Sequence, residues 1–513
     1  LFIKLVLVFS CQSLVIDFLV SIKLKFCCLL HSIFKYFWKR YLNADSCAYL
    51  PFFFRYKRKL VFLPVFGNFI EVVMRKIPKV IFYNEIYKQY PEEKVVGIYL
   101  MTSPALLIRD LDIVKQVMIK DFEYFPDRGT NFSKVGLGEN IFHSDAETWK
   151  LLRHRFTSVF TSSKLKSIFP LLVENGDKLI NYVDNLTIEK PEQDVYDIVM
   201  KYTVATALAV GFGWDIDTFN NDFAWSKDFD KNQNISHLQE MDMLFPGILT
   251  KFNLSVLHEK TRNMCHQIIK QACGEIDNSD KINNVKDVML NMMKESVSEK
   301  EQNLKVTASL LAGQVWVYYT AGYLNNLLTL TYALYHLACN PDVQAKLRKE
   351  INDVMEKHNN KLSYEVLKEM KYVDMVFEET LRLQPTTHGI TRAASKDVKI
   401  EGTDLTINKG TLVVIPAYAI HRDEKHFPEP EQFMPERFLP ENSMERHPCA
   451  FASFGAGPRK CLGELLPFYF GFLFCVKHGL IAKNFSFYST VNLIISPLRV
   501  ILHYLLLSAR GKH

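Results

Sequence analysis

The chain has 513 residues, with 62 Lys and Arg against 56 Asp and Glu, so its formal net charge is +6. Hydrophobic residues make up 48% and charged residues 23%, which is typical of a globular protein and excludes a disordered or collagen-like chain. So small a charge on so long a chain predicts no nucleic-acid partner, and ten cysteines without a CxxC pair predict no disulfide framework.

The first segment, residues 1–22, is mostly apolar, although Asp17 interrupts it. About 20 predominantly apolar residues suffice to cross a bilayer. The basic residues that follow, starting at Lys23, favour a cytosolic location for the rest of the chain. A cleaved signal peptide and mistranslated sequence are the alternatives, and no small-residue cleavage site supports the first. We therefore predict that residues 1–40 are a membrane anchor with its basic flank, followed by one large domain, residues 41–513.

Beyond the basic run, Val95–Leu107 predicts a β-hairpin, because β-branched residues flank a Ser-Pro turn. Helical periodicity then dominates and predicts helices over Thr148–Phe160, Phe169–Val183, Val195–Val210, Val306–Cys339, Asp342–Met355 and Tyr372–Leu383. Val398–Ile400 and Thr406–Ile415 predict short strands, and Pro428–Pro448, rich in Pro and Glu, predicts an ordered meander. The predicted fold class is mainly α with a minor β region (α+β).

The strongest chemical signal is the segment FGAGPRKCLG at Phe454–Gly463, with the pattern F-x-x-G-x-R-x-C-x-G. Gly455 and Gly457 allow the backbone to pass close to a flat ligand. Backbone amides around Cys461 favour a thiolate, and a Cys thiolate is the axial haem ligand of oxygenases that cleave O–O bonds. The segment predicts Cys461 as the ligand of a haem iron and Arg459 as the partner of a haem propionate. The alternative is a glycine-rich loop with a buried free cysteine.

A second signal is the pair Glu379 and Arg382 in FEETLRLQP, which lie on one face of a helix at i and i+3. Such pairs are common on solvated helices, so this pair alone indicates nothing. It becomes informative together with Arg437, which lies in the PERF segment ahead of the Cys loop. We predict an internal Arg–Glu–Arg network. Such a network is a weak stabiliser but fixes geometry, here that of the loop that holds Cys461.

With these motifs in order, the chain from about Leu60 to Gly463 resembles the cytochrome P450 family of haem-thiolate monooxygenases. Trp149 and Arg153 in ETWKLLR match the family's W-x-x-x-R helix, whose residues contact the haem propionates, and Arg392 in HGITRAA matches a further propionate partner. Phe454, which opens the Cys loop, belongs to the same haem-binding set.

Two further segments, FPDRG at Phe125–Gly129 and NPDVQAKLRKEI at Asn340–Ile351, resemble the insect microsomal detoxification members. The resemblance implies a mostly α prism with haem b between a long central helix and the Cys-loop helix. It also implies an oxidoreductase that inserts one atom of dioxygen into small apolar compounds such as xenobiotics, plant toxins, insecticides or endogenous lipids. The implied electron donor is NADPH, acting through NADPH-cytochrome P450 reductase, with cytochrome b5 as an additional partner. The implied location is the cytosolic face of the endoplasmic reticulum membrane.

The chain departs from the family in its central helix, where Ala321 and Gly322 match but Leu324 and Asn325 replace an acid and a threonine. In the family these two residues bring protons to bound dioxygen. Leu324 cannot carry a proton, and Asn325 can donate a hydrogen bond but cannot titrate. We predict that Ala321, Gly322 and Asn325 form the catalytic face, with impaired proton delivery. The rival functions are a haem-thiolate isomerase or dehydratase that acts on peroxides without a reductase, and a non-catalytic or defective haem protein.

Three smaller expectations remain. Residues 465–513 match the family poorly, since Pro467 falls inside an expected helix; we interpret them as altered sequence, with ordinary divergence as the alternative. The substrate pocket is expected from residues 127–142, 317–325 and 386–391. His421 and His426 could suggest a metal site, but HRDEKHFP fits the solvated turn of the family better.

Overall fold

The computed structural model describes residues 66–74, 76–129, 136–189, 195–219, 247–252, 254, 259–274, 284–297 and 306–464. The predicted anchor at residues 1–40 and the segment 465–513 lie outside these ranges. The contacts divide the chain into two units, Leu1–Asn68 and Phe69–His513. All elements described below belong to the second unit.

Helices dominate the second unit, as the sequence predicted. The helices are α1 (Ile70–Val73), α2 (Lys79–Gln89), α3 (Leu111–Lys115), α4 (Ala146–Thr157), α5 (Ser162–Glu189), α6 (Val195–Phe212), α7 (Ile248–Lys251), α8 (Glu259–Gly274), α9 (Val285–Val297), α10 (Ala308–Tyr319), α11 (Asn325–Cys339), α12 (Pro341–Lys357), α13 (Tyr364–Glu369), α14 (Lys371–Leu383), α15 (Ala417–Ile420) and α16 (Pro440–Ser443). Single turns of 3₁₀-helix occur at Phe122–Tyr124, Gly136–Gly138, Ser158–Phe160 and Pro435–Phe438. The six predicted helices are confirmed.

The minor β region consists of a four-stranded and a two-stranded sheet. The strands are β1 (Val95–Leu100), β2 (Ser103–Ile108), β3 (Ile390–Ala393), β4 (Val398–Lys399), β5 (Thr406–Ile407) and β6 (Leu412–Ile415). The larger sheet has the order β1-β2-β6-β3, with β2 and β6 parallel and the other pairs antiparallel. The hairpin predicted over Val95–Leu107 is confirmed as β1 and β2, but its predicted Ser-Pro turn is wrong. The turn lies at Met101 and Thr102, because Ser103 and Pro104 already pair with Leu100 and Tyr99 of β1.

The single strand predicted over Thr406–Ile415 is wrong. The chain turns between β5 and β6 at Gly410, whose φ is +82°, a conformation that glycine adopts without steric cost. The two halves therefore join different sheets, with β5 paired to β4 and β6 paired to β3. Apolar periodicity alone did not reveal this break, because both halves are apolar.

The central helix is one continuous helical run made of α10, a π-helical turn at Thr320–Leu324, and α11. Its start is capped by Thr307, whose side chain accepts a hydrogen bond from the Leu310 amide at 3.0 Å. Asn340 and Pro341 follow its end, where Pro341 occupies the first turn of α12. The predicted helix Val306–Cys339 is therefore confirmed, with one wider turn inside it.

The apolar core surrounds this central helix. Tyr202 and Leu208 of α6, Leu327 of α11 and Phe377 of α14 are among its fully or nearly fully buried members. Within the described residues, α6 is the one helix long and apolar enough to cross a membrane. Most of its side chains are buried inside the protein, as expected of a core helix.

Candidate active site

A cavity lies between the central helix and the Cys loop. Ala321, Gly322 and Asn325 line it from the central helix, and Phe454 and Cys461 line it from the loop. The structure therefore brings together the residues that the sequence assigned to the catalytic face and to the iron ligand. The predicted pocket segments also contribute, through Arg128, Ile141, Phe142, Val317, Tyr318, Thr386, Thr387 and Ile390.

The Cys loop is a tight turn that depends on two glycines. Gly455 and Gly457 have φ values of +75° and +70°, which other residues adopt only with strain. A Cβ on Gly457 would also overlap the carbonyl oxygen of Met118. The loop is closed by a hydrogen bond from the Cys461 amide to the Phe454 carbonyl, at 2.9 Å. The cysteine side chain is thereby presented to the cavity.

The protonation of Cys461 reflects two opposing effects. Burial raises the pKa of its thiol, while a backbone hydrogen bond from Gly463 and the positive charges of Arg153 and Arg128 lower it. Burial outweighs the predicted stabilisation of the thiolate by amides. A bound metal cation would deprotonate the thiol outright.

Arg128, Arg392 and Arg459 form a buried cationic cluster on the cavity wall. Arg459 Nη2 donates to the Ser144 carbonyl at 2.7 Å, and Arg392 Nη1 donates to the Thr391 carbonyl at 2.9 Å. Nε of all three arginines and Nη1 of Arg459 are buried without a hydrogen-bond partner in the described part of the chain. Buried donors of this kind normally have partners, so the cluster calls for an acceptor inside the cavity.

The electrostatics of the cluster lead to the same requirement. Burial and the charges of Arg392 and Arg459 hold the pKa of Arg128 well below its ordinary value. The pKa of Arg392 falls to about 10 because it is buried beside Arg459, and burial lowers the pKa of Arg459 to about 10 although Asp127 and Asp145 raise it. An anion in the cavity would relieve this repulsion. The two propionates of a haem have the required charge, so the residues present fit that group.

Trp149 and Arg153, the pair predicted on α4, both contact the Cys loop. The guanidinium of Arg459 lies 4.8 Å from the centre of the Trp149 ring, which holds it in place through a cation–π contact. Arg153 Nη1 donates to the Lys460 carbonyl at 2.7 Å, next to Cys461. Both residues line the cavity. Arg153 therefore contacts the loop directly.

Glu379, Arg382 and Arg437 meet in the interior, as the sequence predicted for their geometry. Glu379 accepts from Arg382 Nε and Nη2 at 2.7 and 2.8 Å, and from Arg437 Nε at 3.0 Å. Glu379 and Arg382 are fully buried, and Arg437 is nearly so. Arg382 and Arg437 also donate to five carbonyls of the segment between α15 and the PERF turn, those of His421, Pro428, Glu429, Pro430 and Gln432. The network thus fixes the meander that leads into the Cys loop.

His421 corrects the expectation of a solvated turn. Its side chain is fully buried and its ring contacts Phe451 and Phe427. Its Nε2 accepts a hydrogen bond from the Ala452 amide at 3.0 Å, so its Nδ1 carries the proton and donates to the Arg382 carbonyl at 3.2 Å. These contacts hold His421 inside the protein rather than in water, and the described residues contain no group of three or more side chains that could bind a metal ion.

The central helix has Leu324 and Asn325 where the family has an acid and a threonine, and a second amide, Asn326, follows. Asn325 Nδ2 donates to the Ala321 carbonyl at 3.2 Å, and Asn326 Nδ2 donates to the Gly322 carbonyl. Leu324 packs against the apolar core and does not line the cavity. No carboxylate and no imidazole occurs among the described residues that line the cavity.

Sequence reasoning missed Asn326 and Gln314, and it included Arg128 in a pocket segment without assigning it to the cationic cluster. Arg128 lies in the FPDRG segment, whose resemblance to the insect group was the available signal. Asn326 lines the cavity beside Asn325 and follows it directly in the sequence. Gln314 lies about three turns before Asn325 on the same helix, and only its place in a strongly apolar helix marks it.

Comparison with known proteins identifies the class that this geometry describes. The cytochrome P450 family profile matches residues 58–477, so the chain belongs to the cytochrome P450 family, the haem-dependent monooxygenases. Cytochrome P450 6B1 of Papilio polyxenes is 42% identical over 411 residues, which are 78% of this chain and 82% of the relative. Cytochrome P450 6B2 of Helicoverpa armigera is 41% identical over 409 residues, 78% and 81% of the two chains. Probable cytochrome P450 6a20 of Drosophila melanogaster is 30% identical over 440 residues, 84% and 86% of the two chains.

Proposed function

We propose that this cytochrome P450 inserts one oxygen atom from dioxygen into small apolar compounds, with electrons from NADPH through a flavoprotein reductase. The observation that carries the proposal is the shared cavity of Cys461, the buried arginine cluster and the apolar wall of the central helix. Haem b, when bound, supplies dioxygen activation. Cys461 would hold the haem iron through its thiolate sulfur.

The remaining cavity residues have binding and structural roles in the proposal. Arg392 and Arg459 pair with the propionates, Trp149 holds Arg459 in position, and Arg153 joins the propionate set from α4. Phe454 covers the loop side of the cavity. Glu379, Arg382 and Arg437 act only on structure, because their side chains are buried away from the cavity among backbone carbonyls.

The proposed substrates are small, neutral and apolar, the class that includes xenobiotics, plant toxins, insecticides and endogenous lipids. Ile141, Phe142, Phe160, Val317 and Ile390 give the substrate side an apolar surface. The charged groups of the cavity are cationic and lie on the propionate side. A substrate carboxylate would therefore compete with the propionates for the same arginines, which favours neutral compounds.

We place the protein on the cytosolic face of the endoplasmic reticulum membrane. The proposal is supported by the apolar segment at residues 1–22, by the basic run after it and by the resemblance to microsomal members. NADPH-cytochrome P450 reductase and cytochrome b5 are the partners of that location. Unchanged electrophoretic mobility after glycosidase treatment of the expressed protein is the expected result.

A second function, the isomerisation or dehydration of organic hydroperoxides, is favoured by one observation. Ala321 and Gly322 face the cavity, but Leu324 packs in the core and the Asn325 amide is bound to a backbone carbonyl. A reaction that needs no delivered proton and no reductase would tolerate this arrangement. The third alternative, a defective or non-catalytic haem protein, predicts neither activity.

Two measurements decide between these functions. A carbon-monoxide difference spectrum of the reduced protein should show the thiolate-type Soret band, which a defective protein would lack. NADPH consumption with the reductase and an apolar substrate, followed by product analysis, should then yield oxygenated product. Conversion of a lipid hydroperoxide without reductase, with no NADPH-dependent product, would favour the isomerase instead.

A further inference from the structure

Gln314 connects the central helix to the loop that forms one wall of the cavity. Its side chain is almost fully buried, with a relative exposure of 1%. Its Oε1 accepts a hydrogen bond from the Ile141 amide at 3.0 Å, and its Nε2 donates to the Glu139 carbonyl at 3.1 Å and to the Leu310 carbonyl at 2.9 Å. A single side chain thus satisfies two backbone groups of the loop and one of its own helix.

The backbone of residues 137–143 lies directly on the helix beside Gln314. A Cβ on Gly313 would overlap the Glu139 carbonyl oxygen and would lie 3.2 Å from the Leu137 carbonyl oxygen. Only glycine therefore allows this approach. The ring of His143 stacks on Trp316 with centroids 5.9 Å apart. Three positions within one turn of α10 thus hold one short stretch of loop.

The loop is also braced from within by Asn140. The Asn140 side chain donates to the Leu137 carbonyl and accepts from the amides of Phe142 and His143 at 3.0 and 3.1 Å. Internal bonds of this type define the shape of the loop, whereas Gln314 defines its position on the helix. Ile141 and Phe142, the two residues that face the cavity, lie between these points of attachment.

We propose that Gln314 is a positioning residue that fixes Ile141 and Phe142 over the cavity and thereby limits the size of the substrates that enter. The proposal rests on the proposed function, because it assigns the size selection of that same site. A bulky ligand has to displace residues 137–143, and it must supply the free energy that opens the Gln314 contacts. A compact ligand fits into the cavity while residues 137–143 stay in place, so it does not need this free energy.

The first test is amide hydrogen exchange, which requires no activity. In the unaltered protein the Ile141 amide should exchange slowly, because its proton is bound to the buried Gln314 Oε1. Gln314→Met keeps the length of the side chain and removes all three hydrogen bonds. It should speed exchange at Ile141 by about tenfold, equivalent to about 1.4 kcal/mol. Thr331→Val is the matched control, because it removes a buried hydrogen bond to Leu327 on the same helix, outside the cavity lining.

The second test compares two haem-binding inhibitors of different size by optical titration, 4-phenylimidazole and the bulky triaryl compound clotrimazole. In Gln314→Met the Kd for clotrimazole should fall by up to about tenfold, the factor by which opening becomes easier. The Kd for 4-phenylimidazole should stay constant, and so should both values in Thr331→Val. A general loss of structure would weaken the binding of both inhibitors. It would not lower the ratio of the Kd for clotrimazole to the Kd for 4-phenylimidazole.

The outcomes separate this proposal from the proposed function. Fast exchange of the Ile141 amide in the unaltered protein overturns the proposal, even if Gln314→Met fails to fold. Faster exchange with an unchanged ratio of the two Kd values overturns the role in size selection. The proposed function fails separately, through loss of the thiolate-type carbonyl spectrum or of the NADPH-dependent product.

Discussion

Arg382 and His421 bind each other's backbone reciprocally. Arg382 Nη1 donates to the His421 carbonyl at 2.8 Å, and His421 Nδ1 donates to the Arg382 carbonyl at 3.2 Å. The remaining ring nitrogen of His421 accepts from the Ala452 amide, two residues before the Cys loop segment begins. The pair therefore couples the buried Glu379 network to the loop, and it does so only while the imidazole is neutral.

The first prediction concerns acid sensitivity. Burial lowers the pKa of His421 to about 3, helped by the charge of Arg382, whereas an unfolded histidine has a pKa of about 6.5. Below about pH 6.5 His421 is therefore protonated in the unfolded state but still neutral in the folded state. The free energy of unfolding should fall as the pH drops below this value. His143, His336 and His388, with pKa values lowered to about 3, 3 and 4, act in the same direction.

Urea unfolding between pH 7 and pH 5 measures this effect. Two carboxyls act oppositely, since burial raises the pKa of Asp374 to about 6 and that of Glu378 to about 7. The pH dependence of the free energy of unfolding is therefore compared between the unaltered protein and its variants, in which the two carboxyls are unchanged. His421→Gln should lower the stability at pH 7 and make the pH dependence shallower, while the exposed change His266→Gln should alter neither. An unchanged pH slope in His421→Gln would show that this imidazole is not the titrating group.

The second prediction is that Glu379→Ala prevents normal folding. Removal of the carboxylate leaves Arg382 and Arg437 buried without their anion, which typically costs 3–5 kcal/mol. The expressed variant should be haem-free or aggregated, as judged by the ratio of haem absorbance to protein. Glu365→Ala, which removes an exposed ion pair with Lys166, should behave like the unaltered protein. Full haem content in Glu379→Ala with only slower turnover would instead indicate a catalytic role.

The third prediction concerns the iron ligand. Cys461→Ser should abolish the thiolate-type Soret band of the reduced carbonyl complex, because a serine hydroxyl does not replace a thiolate. Cys339→Ser, at an exposed cysteine on the end of α11, should retain it. Survival of the band in Cys461→Ser would assign the ligand elsewhere.

The fourth prediction is that one substitution, Arg128→Gln, stabilises the haem-free protein and at the same time weakens its binding of haem. Arg128→Gln removes one of three mutually repelling buried charges, so the haem-free form should unfold at higher urea concentration. The same change removes a donor for the propionates, so haem should transfer faster to apomyoglobin. Arg109→Gln, outside the cavity lining, is the control for the loss of an arginine. Lower stability of the haem-free Arg128→Gln protein would mean that its packing on Phe142 outweighs the repulsion.

The sequence predicted those parts of the fold that depend on local pattern. Helices such as α4 and α12 combine regular apolar spacing with clear start signals, Asp145 and Pro341. The Cys loop was predictable from the pattern F-x-x-G-x-R-x-C-x-G, and the structure shows that Gly455 and Gly457 adopt conformations in which other residues would be strained. The break between β5 and β6 was missed, because two apolar strands separated by a short turn resemble one.

Contacts between segments that are distant in the sequence could be predicted less well. Arg382 and Arg437 were identified through the i, i+3 spacing of Glu379 and Arg382 and through the PERF segment, whereas the contacts of Gln314 and His421 could not be predicted from the sequence. Their roles come from carbonyls and amides, those of Glu139 and Ile141 for Gln314 and of Arg382 and Ala452 for His421. Since every residue offers such backbone groups, no side-chain pattern reveals which of them will meet.

The last prediction concerns proton delivery. Asn325 occupies the position of the family's threonine on the cavity wall, and its amide is held by the Ala321 carbonyl at 3.2 Å. Neither this amide nor the aliphatic side chain of Leu324 can supply a proton, and general acid–base help is typically worth about 10²–10⁴-fold. We expect poorly coupled monooxygenation, in which much NADPH is consumed per product and the balance appears as hydrogen peroxide.

Single and double variants locate the deficit. Asn325→Thr restores a hydroxyl on the cavity wall and should raise the ratio of product to NADPH. Leu324→Glu combined with Asn325→Thr should raise that ratio several-fold, with unchanged haem content as the control for folding. The glutamate enters a position that packs against the core, so a loss of haem in the double variant would show that this position cannot hold a carboxyl. Tight coupling in the unaltered protein would reveal a proton path that uses neither residue. No gain in either variant, together with rearrangement of lipid hydroperoxides in the absence of reductase, would establish the isomerase function.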